Sequence, residues 1–236
     1  MINYFQWILE VETLEIKLSS EILEQIPGFK LGVIEYRNIM VGDSTQMLKG
    51  RLRLFQESIY FDLEKNNVTS LPGIQEWRNI FKKTGKDPNR YRHSAESLFR
   101  RVQKQNYLSS VQSAIDITNF FSLQYQVPIG IYDIDLIQGS IEIRIGKAGE
   151  EYIGLNGRKN SLERLILSSD QGGPFGSPFV DSERTLVTYN TKDAIQIIYL
   201  RPSTDKENAE KLTKSLMDMF TQIHGGDASF RILGCQ

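Results

Sequence analysis

Histidine and cysteine are almost missing from this sequence: two histidines and one cysteine in 236 residues. That scarcity removes whole classes of chemistry. Cys235, next to last, has no partner for a disulfide, and a lone thiol on a tail reads as a protein of a reducing, cytoplasmic compartment. Neither His93 nor His224 has a second histidine or a cysteine at ligand spacing, which argues against a zinc site. No nucleophile-elbow pattern occurs, so a Ser-His-Asp triad is unsupported. The setting of His224 in "TQIHGG" predicts a cation at a helix C-terminus, with Gly225 ending the helix. His93, in "RYRHSAES", just precedes a predicted N-cap at Ser94.

Charge of one sign is also lacking. The formal net charge is −1, so nothing global calls for a nucleic-acid or membrane partner, and any such partner must be met by a local patch. No run approaches the ~18 apolar residues of a membrane helix. The first twenty residues, "MINYFQWILEVETLEIKLSS", have no basic region ahead of a long apolar core and so do not read as a signal peptide. A soluble cytoplasmic protein is expected.

What is present is an ordinary globular composition, 40% hydrophobic and 24% charged, sufficient to bury a substantial core. Residues 1–43 read as strand, short helix, strand. From Ser44, Leu48, Leu52, Phe55, Ile59 and Leu63 recur at helical spacing. "IQEWRNIFKKTG", "SAESLFRRVQKQ" and "SSVQSAIDITNFFSLQYQ" predict three more helices. The period then changes to two in "IGIYDID" and "SIEIRI", and Asn156-Gly157 predicts a hairpin in "EYIGLNGRKN". "LERLILSSD", "RTLVTYNT" and "AIQIIYLRP" read as strands, and a helix over "DKENAEKLTKSLMDMFTQIHGG" closes the chain. The class is mixed α/β (α+β). The expected division is 1–87, an N-terminal α/β part of the same fold or a small lobe, and 88–236, the main domain with the C-terminal helix.

Three segments could carry chemistry. "DQGGPFGSPFVDSER" is a long Gly/Pro loop between strands, of a kind often functional, although its glycines could equally serve only to turn corners. Asp116, Asn119 and Ser122, three apart on one helix, could converge on a pocket, or Asn119 could hold a neighbouring loop. Finally, nine basic residues from Arg78 to Lys104 face only Asp87 and Glu96, a local balance of +7. That stretch could track a nucleic-acid backbone, or form solvated helix faces.

"DITNFFSLQYQVPIGIYD" resembles the B3/B4 domain of the phenylalanyl-tRNA synthetase beta subunit, with Asp116, Ile117, Thr118, Asn119, Leu123, Pro128 and Asp133 matching without a gap. The likeness continues through "IDLIQGSIEIRIGKAGEEYIGLNG" and "LILSSDQGGPFGSPFVDSERTLVTYNT". The lead-in "IQEWRNIFKKTGKDPNRYRHSAESLFRRV" is similar to that of free-standing bacterial proteins built on this domain. The resemblance implies a three-layer β/β/α sandwich with a site between helix and loop, which in the synthetase hydrolyses tyrosine misesterified to phenylalanine tRNA. It departs at Gly130, where the family writes a histidine, and near Ile197 or Ile198, where it expects a glutamate.

The implied function is binding of the aminoacyl end of tRNA, with hydrolysis of mischarged aminoacyl-tRNA in trans. The alternative is a non-catalytic RNA- or amino-acid-binding module. Asn119 and Ser182 would position the water. Asp116, Ser122, Gly172, Gly173, Pro174, Asp181 and Arg184 would bind substrate, and Arg90, Arg92, Arg100, Arg101 and Lys104 would bind RNA. The expected partner is a tRNA acceptor end or an amino-acid-like ligand, with no cofactor, metal, membrane or DNA.

Overall fold

The computed structural model describes residues 13–234, so Cys235 lies outside it. The chain runs β1 (Ile16–Leu18), α1 (Ser20–Gln25), β2 (Leu31–Arg37), α2 (Gln46–Leu63), α3 (Pro72–Lys83), α4 (Ser94–Gln103), α5 (Ser113–Tyr125), β3 (Ile129–Asp133), β4 (Ile141–Ile145), β5 (Glu151–Ile153), β6 (Lys159–Ser161), β7 (Ile166–Asp170), β8 (Gly173–Gly176), β9 (Ala194–Tyr199), α6 (Lys206–His224) and β10 (Asp227–Leu233). Local chemistry sets several of these boundaries. Thr45 caps α2, its hydroxyl accepting from the Leu48 amide at 3.2 Å, as short hydroxyl side chains do at helix starts. Pro72 opens α3, where its missing N–H costs nothing.

Two four-stranded sheets result, ordered β1-β4-β7-β8 and β10-β2-β9-β3, with β5 and β6 paired as a separate hairpin. The second sheet is the middle layer. Every residue of β9 and all but the last of β2 are buried, which explains why both read as continuous apolar runs rather than as alternating ones. One face of that sheet meets α5 and α6. There Tyr36 stacks on Phe220 at 4.1 Å, and a side chain at Gly32 would come within 2.4 Å of Thr213 Oγ1, so the helix lies directly on the strand. The other face meets the first sheet, where the Tyr199 hydroxyl and Ser168 Oγ are 3.0 Å apart. The layers are therefore sheet, sheet, helices. β1 pairs with β4 in the first of these sheets, and β2 sits between β10 and β9 in the second. A smaller helical core gathers Ile59, Leu63, Val68, Phe99 and Leu123 among α2, α4 and α5.

Four local expectations need correction. The chain does not close with α6: β10 follows and pairs with β2 along its whole length. "RTLVTYNT" is no strand. Ser182 caps a short 3-10 turn at Glu183–Thr185, and the Thr188 and Thr191 hydroxyls accept from nearby backbone amides, diverting the segment from strand pairing. His224 is not a solvated cation at a helix end. It is buried, bonded to Phe220 O and to Ser113 Oγ at 2.8 Å, and burial lowers its pKa. His93 is itself the cap of α4, Nδ1 accepting from the Glu96 amide at 3.4 Å.

Candidate functional site

α4, α5, β3 and the segment 177–186 enclose a cavity of about 300 Å3. The sequence places each wall for a separate reason. α5 is buried on most of its surface, so its exposed edge, with Ile115 and Asn119, is narrow. Thr118, beside Asn119, donates to Ala114 O and accepts from Gln196 Nε2 at 2.9 Å; Gln196 Oε1 in turn accepts from the Tyr36 hydroxyl. That buried chain fixes α5 on the middle sheet. α4 contributes Ser94, Ser97, Leu98 and Arg101, spaced along one face.

The Gly/Pro loop forms the remaining wall, and it is heavily bonded. The Ser177 hydroxyl donates to Val180 O at 2.8 Å and accepts from the Phe179 and Val180 amides and from the Tyr152 hydroxyl. The Ser94 amide donates to Pro178 O at 2.8 Å, tying the loop to the start of α4. On either side of Asp181 the main chain is pinned, with the Leu155 amide donating to Asp181 O and the Ser182 amide to Phe175 O, both at 2.9 Å. Asp181 thus stands in the cavity wall as a positioned carboxylate.

Its Oδ1 accepts from the Tyr132 hydroxyl at 2.8 Å and from the Ser177 amide at 3.2 Å. Oδ2 has no hydrogen-bond partner among the described residues. Burial pushes the carboxyl up to about 6, opposed by those two hydrogen bonds. Thr185 adds a hydroxyl that is buried and without a partner among the described residues, and Asn119 lines the same space. Ile115, Ile129, Ile131, Phe179, Val180 and Leu186 make the rest of the lining apolar.

Of the residues singled out in the sequence, the structure brings Asn119, Asp181, Ser182 and Arg101 to this one cavity. Ser182 uses its hydroxyl oxygen to accept from the Arg184 amide at 3.1 Å. The others lie elsewhere. Asp116 accepts from Ser44 Oγ at 2.6 Å, from Ser110 Oγ and from the Val111 amide. Ser122 donates to Val127 O behind the helix end. Gly172 lies in the β7–β8 turn and Gly173 and Pro174 begin β8; there Asp170 accepts from the Gly172 amide and holds Arg184 through both its oxygens, at 2.7 and 3.1 Å. Arg100 pairs with buried Glu96, as does Arg78, whereas Arg90, Arg92 and Lys104 are exposed. Tyr132, Ser177, Thr185 and Leu155 were not singled out; their convergence depends on strand register that sequence spacing does not reveal.

Two more spacious depressions, of about 650 and 560 Å3, flank the start of α6. Lys30 Nζ donates to the Pro202 and Thr204 carbonyls, and Asp205 caps α6. Among the described residues, no group of acidic, histidine or cysteine side chains could hold a metal ion, and no helix is long and apolar enough to cross a membrane.

The family model described as the B3/4 domain matches residues 76–223, which include every wall of the cavity. The chain belongs to the B3/4 domain family. An uncharacterized protein of Bacillus subtilis, YhzB, is 36% identical over 213 residues, 90% of this chain and 96% of that protein. The phenylalanine–tRNA ligase beta subunit of Streptomyces avermitilis is 38% identical over 95 residues, and that of Fusobacterium nucleatum 28% over 112. These cover 39% and 46% of this chain but only 11% and 14% of the two subunits. An N-terminal fragment of the phenylalanyl-tRNA synthetase beta subunit from Pyrococcus horikoshii overlays on 93% of this chain and 54% of its own length, with a TM-score of 0.44 and 14% identity.

In this B3/4 chain the position where the resemblance expects histidine is closed by packing. A Cβ on Gly130 would stand 2.0 Å from the Tyr132 hydroxyl, and one on Gly176 would stand 2.3 Å from it. The phenol occupies the space between the two glycines and donates a hydrogen bond to Asp181. Ile197, which pairs with Gly130, and Ile198 are wholly buried in β9, so no carboxylate enters from that side.

Proposed function

We infer that this cavity receives the aminoacyl end of a tRNA and that the protein hydrolyses the ester. The observation that carries the reading is the convergence of Asn119, Asp181 and Ser182, an apolar lining and a cationic rim at Arg101 on one cavity. At about 300 Å3 it lies at the small end of ligand sites, roughly 300–1,000 Å3. It can enclose an amino-acid side chain and its ester bond, but not the terminal nucleoside as well, which would lie at the mouth beside α4. There Arg101, with Lys104 one helical turn on and exposed, offers charge to the phosphates that dominate nucleic-acid affinity.

The test is binding of labelled aminoacyl-tRNA and of the same tRNA uncharged, with release of free amino acid followed in parallel. Charged tRNA is expected to bind more tightly, with log affinity falling linearly in log salt and a smaller slope in an Arg101→Glu, Lys104→Glu variant. Equal affinity for both forms, or a flat salt response, would remove this reading. One observation favours a second one: with Tyr132 filling the place of a histidine, the family site could serve here as a binder of RNA or of an amino-acid-like ligand without turnover. Binding with no release of amino acid would select it.

A further inference from the structure

The reading above leaves a chemical gap, because ester hydrolysis at neutral pH needs a group that takes a proton from water. Neither histidine can do so. His93 is buried between Trp77 and Phe81, and His224 is committed to Ser113 and Phe220. Around the cavity, Ser177 is fully used by the loop, Ser182 accepts from a backbone amide, and the hydroxyl of Thr185 and the amide of Asn119 have no basic proton acceptor.

We propose that Asp181 is the general base of the site, its Oδ2 taking a proton from a water molecule as that water attacks the ester carbonyl carbon. This rests on the preceding reading of the cavity. The new C–O bond forms as the carbonyl electron pair moves onto oxygen, where the Thr185 hydroxyl and the Asn119 amide are the available donors. Collapse restores the carbonyl and breaks the bond to the ribose oxygen, which takes the proton back from Asp181. Water and ester give free amino acid and uncharged tRNA, and no other reactant is needed. The anchoring of Oδ1 by Tyr132 and Ser177 leaves Oδ2 as the carboxylate oxygen without a hydrogen-bond partner among the described residues, on a residue that lines the cavity. A carboxyl held at about 6 is also a stronger base than an ordinary aspartate near 4, while still ionised at neutral pH. Tyr132 acts through Asp181 and is a positioning residue. The titratable groups facing Asp181 are Tyr132 from β3, Tyr152 from β5 and Tyr199 from β9, all raised by burial; Arg101 from α4 lines the same cavity.

The experiment is single-turnover deacylation of tRNAs charged with phenylalanine, tyrosine, leucine, valine and alanine, from pH 4.5 to 8, by the full chain. Affinity is measured separately with an aminoacyl-adenosine whose ester is replaced by an amide. For the ester that turns over, Asp181→Asn is expected to lose roughly 10²–10⁴-fold in rate, the usual contribution of a general base, with amide affinity unchanged. The wild-type rate falls about tenfold per unit below pH 6, as titration of one group requires. Tyr132→Phe, which removes a hydrogen bond that holds the carboxyl down, moves that midpoint upward, which a merely structural role would not do. If wild type turns over and Asp181→Asn matches it, the base assignment fails while the tRNA reading stands. If Asp181→Asn loses affinity instead of rate, the carboxylate binds the substrate ammonium and the assignment also fails. If wild type turns over no ester, hydrolysis and its base fall together.

Discussion

Gly130→Ala is the substitution whose outcome follows most directly from the packing around Tyr132. The added methyl would sit 2.0 Å from the Tyr132 hydroxyl oxygen, 2.5 Å from Cζ and 3.0 Å from Cε2, against an ordinary carbon contact of about 3.5–4.0 Å. The ring has nowhere to go. Tyr132 is 1% exposed, Gly176 closes its far side, and Phe175 meets it edge-on at 4.9 Å. Overpacking of this kind costs roughly 1–3 kcal/mol. Displacing the phenol also breaks its hydrogen bond to the Asp181 carboxylate, of a class worth about 1.5–3 kcal/mol. The two costs overlap, because a ring that shifts to relieve the clash gives up the bond, so urea unfolding should show a loss of roughly 2–4 kcal/mol, with the denaturant slope unchanged. The decisive arm is the cycle with Tyr132→Leu. Once the phenol is gone the methyl has room, so Gly130→Ala should cost under about 1 kcal/mol there, giving a coupling of order 1.5–3 kcal/mol. Single effects that add to within about 0.5 kcal/mol would refute the wedge, and with it the explanation of why no side chain stands at 130.

Asp116→Ala should destabilise by about 2–4 kcal/mol, because it strips a buried carboxylate from two hydroxyls and an amide, while affinity at the cavity stays unchanged. Lost affinity at unchanged stability, seen by titration and urea unfolding, would contradict that. His93→Asn tests the buried imidazole. Burial lowers His93 to about 3 against about 6.5 unfolded, so its contribution is complete above pH 6.5 and is lost as pH falls toward 3, by up to about 1.4 kcal/mol per unit. Asparagine can keep the helix cap but does not titrate. The stability of wild type relative to the variant should therefore decline on acidification through that window, and a pH-independent difference would count against a neutral His93. Asp181, raised in the fold, acts in the opposite sense between about 4 and 6, which is why the variant difference is the quantity to measure.

The helices were legible because their apolar residues recur at helical spacing and their ends carry caps: Leu48, Leu52, Ile59 and Leu63 all face inward. β2 and β9 were legible as apolar runs. β10 escaped because Gly225-Gly226 looks terminal, although Ala228, Phe230 and Ile232 alternate beyond it. The stretch 184–191 has strand composition, yet its own hydroxyls compete for the backbone. At the site, residue types and the family likeness pointed to Asn119, Asp181 and Ser182, which do line one cavity. The roles of Tyr132 and Thr185 were hidden, since one depends on two glycines from different strands and the other on a hydroxyl left unpartnered by its surroundings.

The strand order β10-β2-β9-β3 also bears on how the polypeptide is made. The middle sheet takes its strands from residues 31–37, 129–133, 194–199 and 227–233. During synthesis β2 therefore waits from residue 37 until β9 begins at residue 194, with neither neighbour yet available, and every residue of its partner β10 must be released before pairing can finish. Such non-local closure is intrinsically slow, and a waiting apolar strand is an invitation to misassociation. The hairpin of β5 and β6 and the helical cluster around Phe99 can consolidate early from near neighbours. The layer that carries Tyr132, and so aims the Asp181 carboxylate, closes only after β10 has left the ribosome.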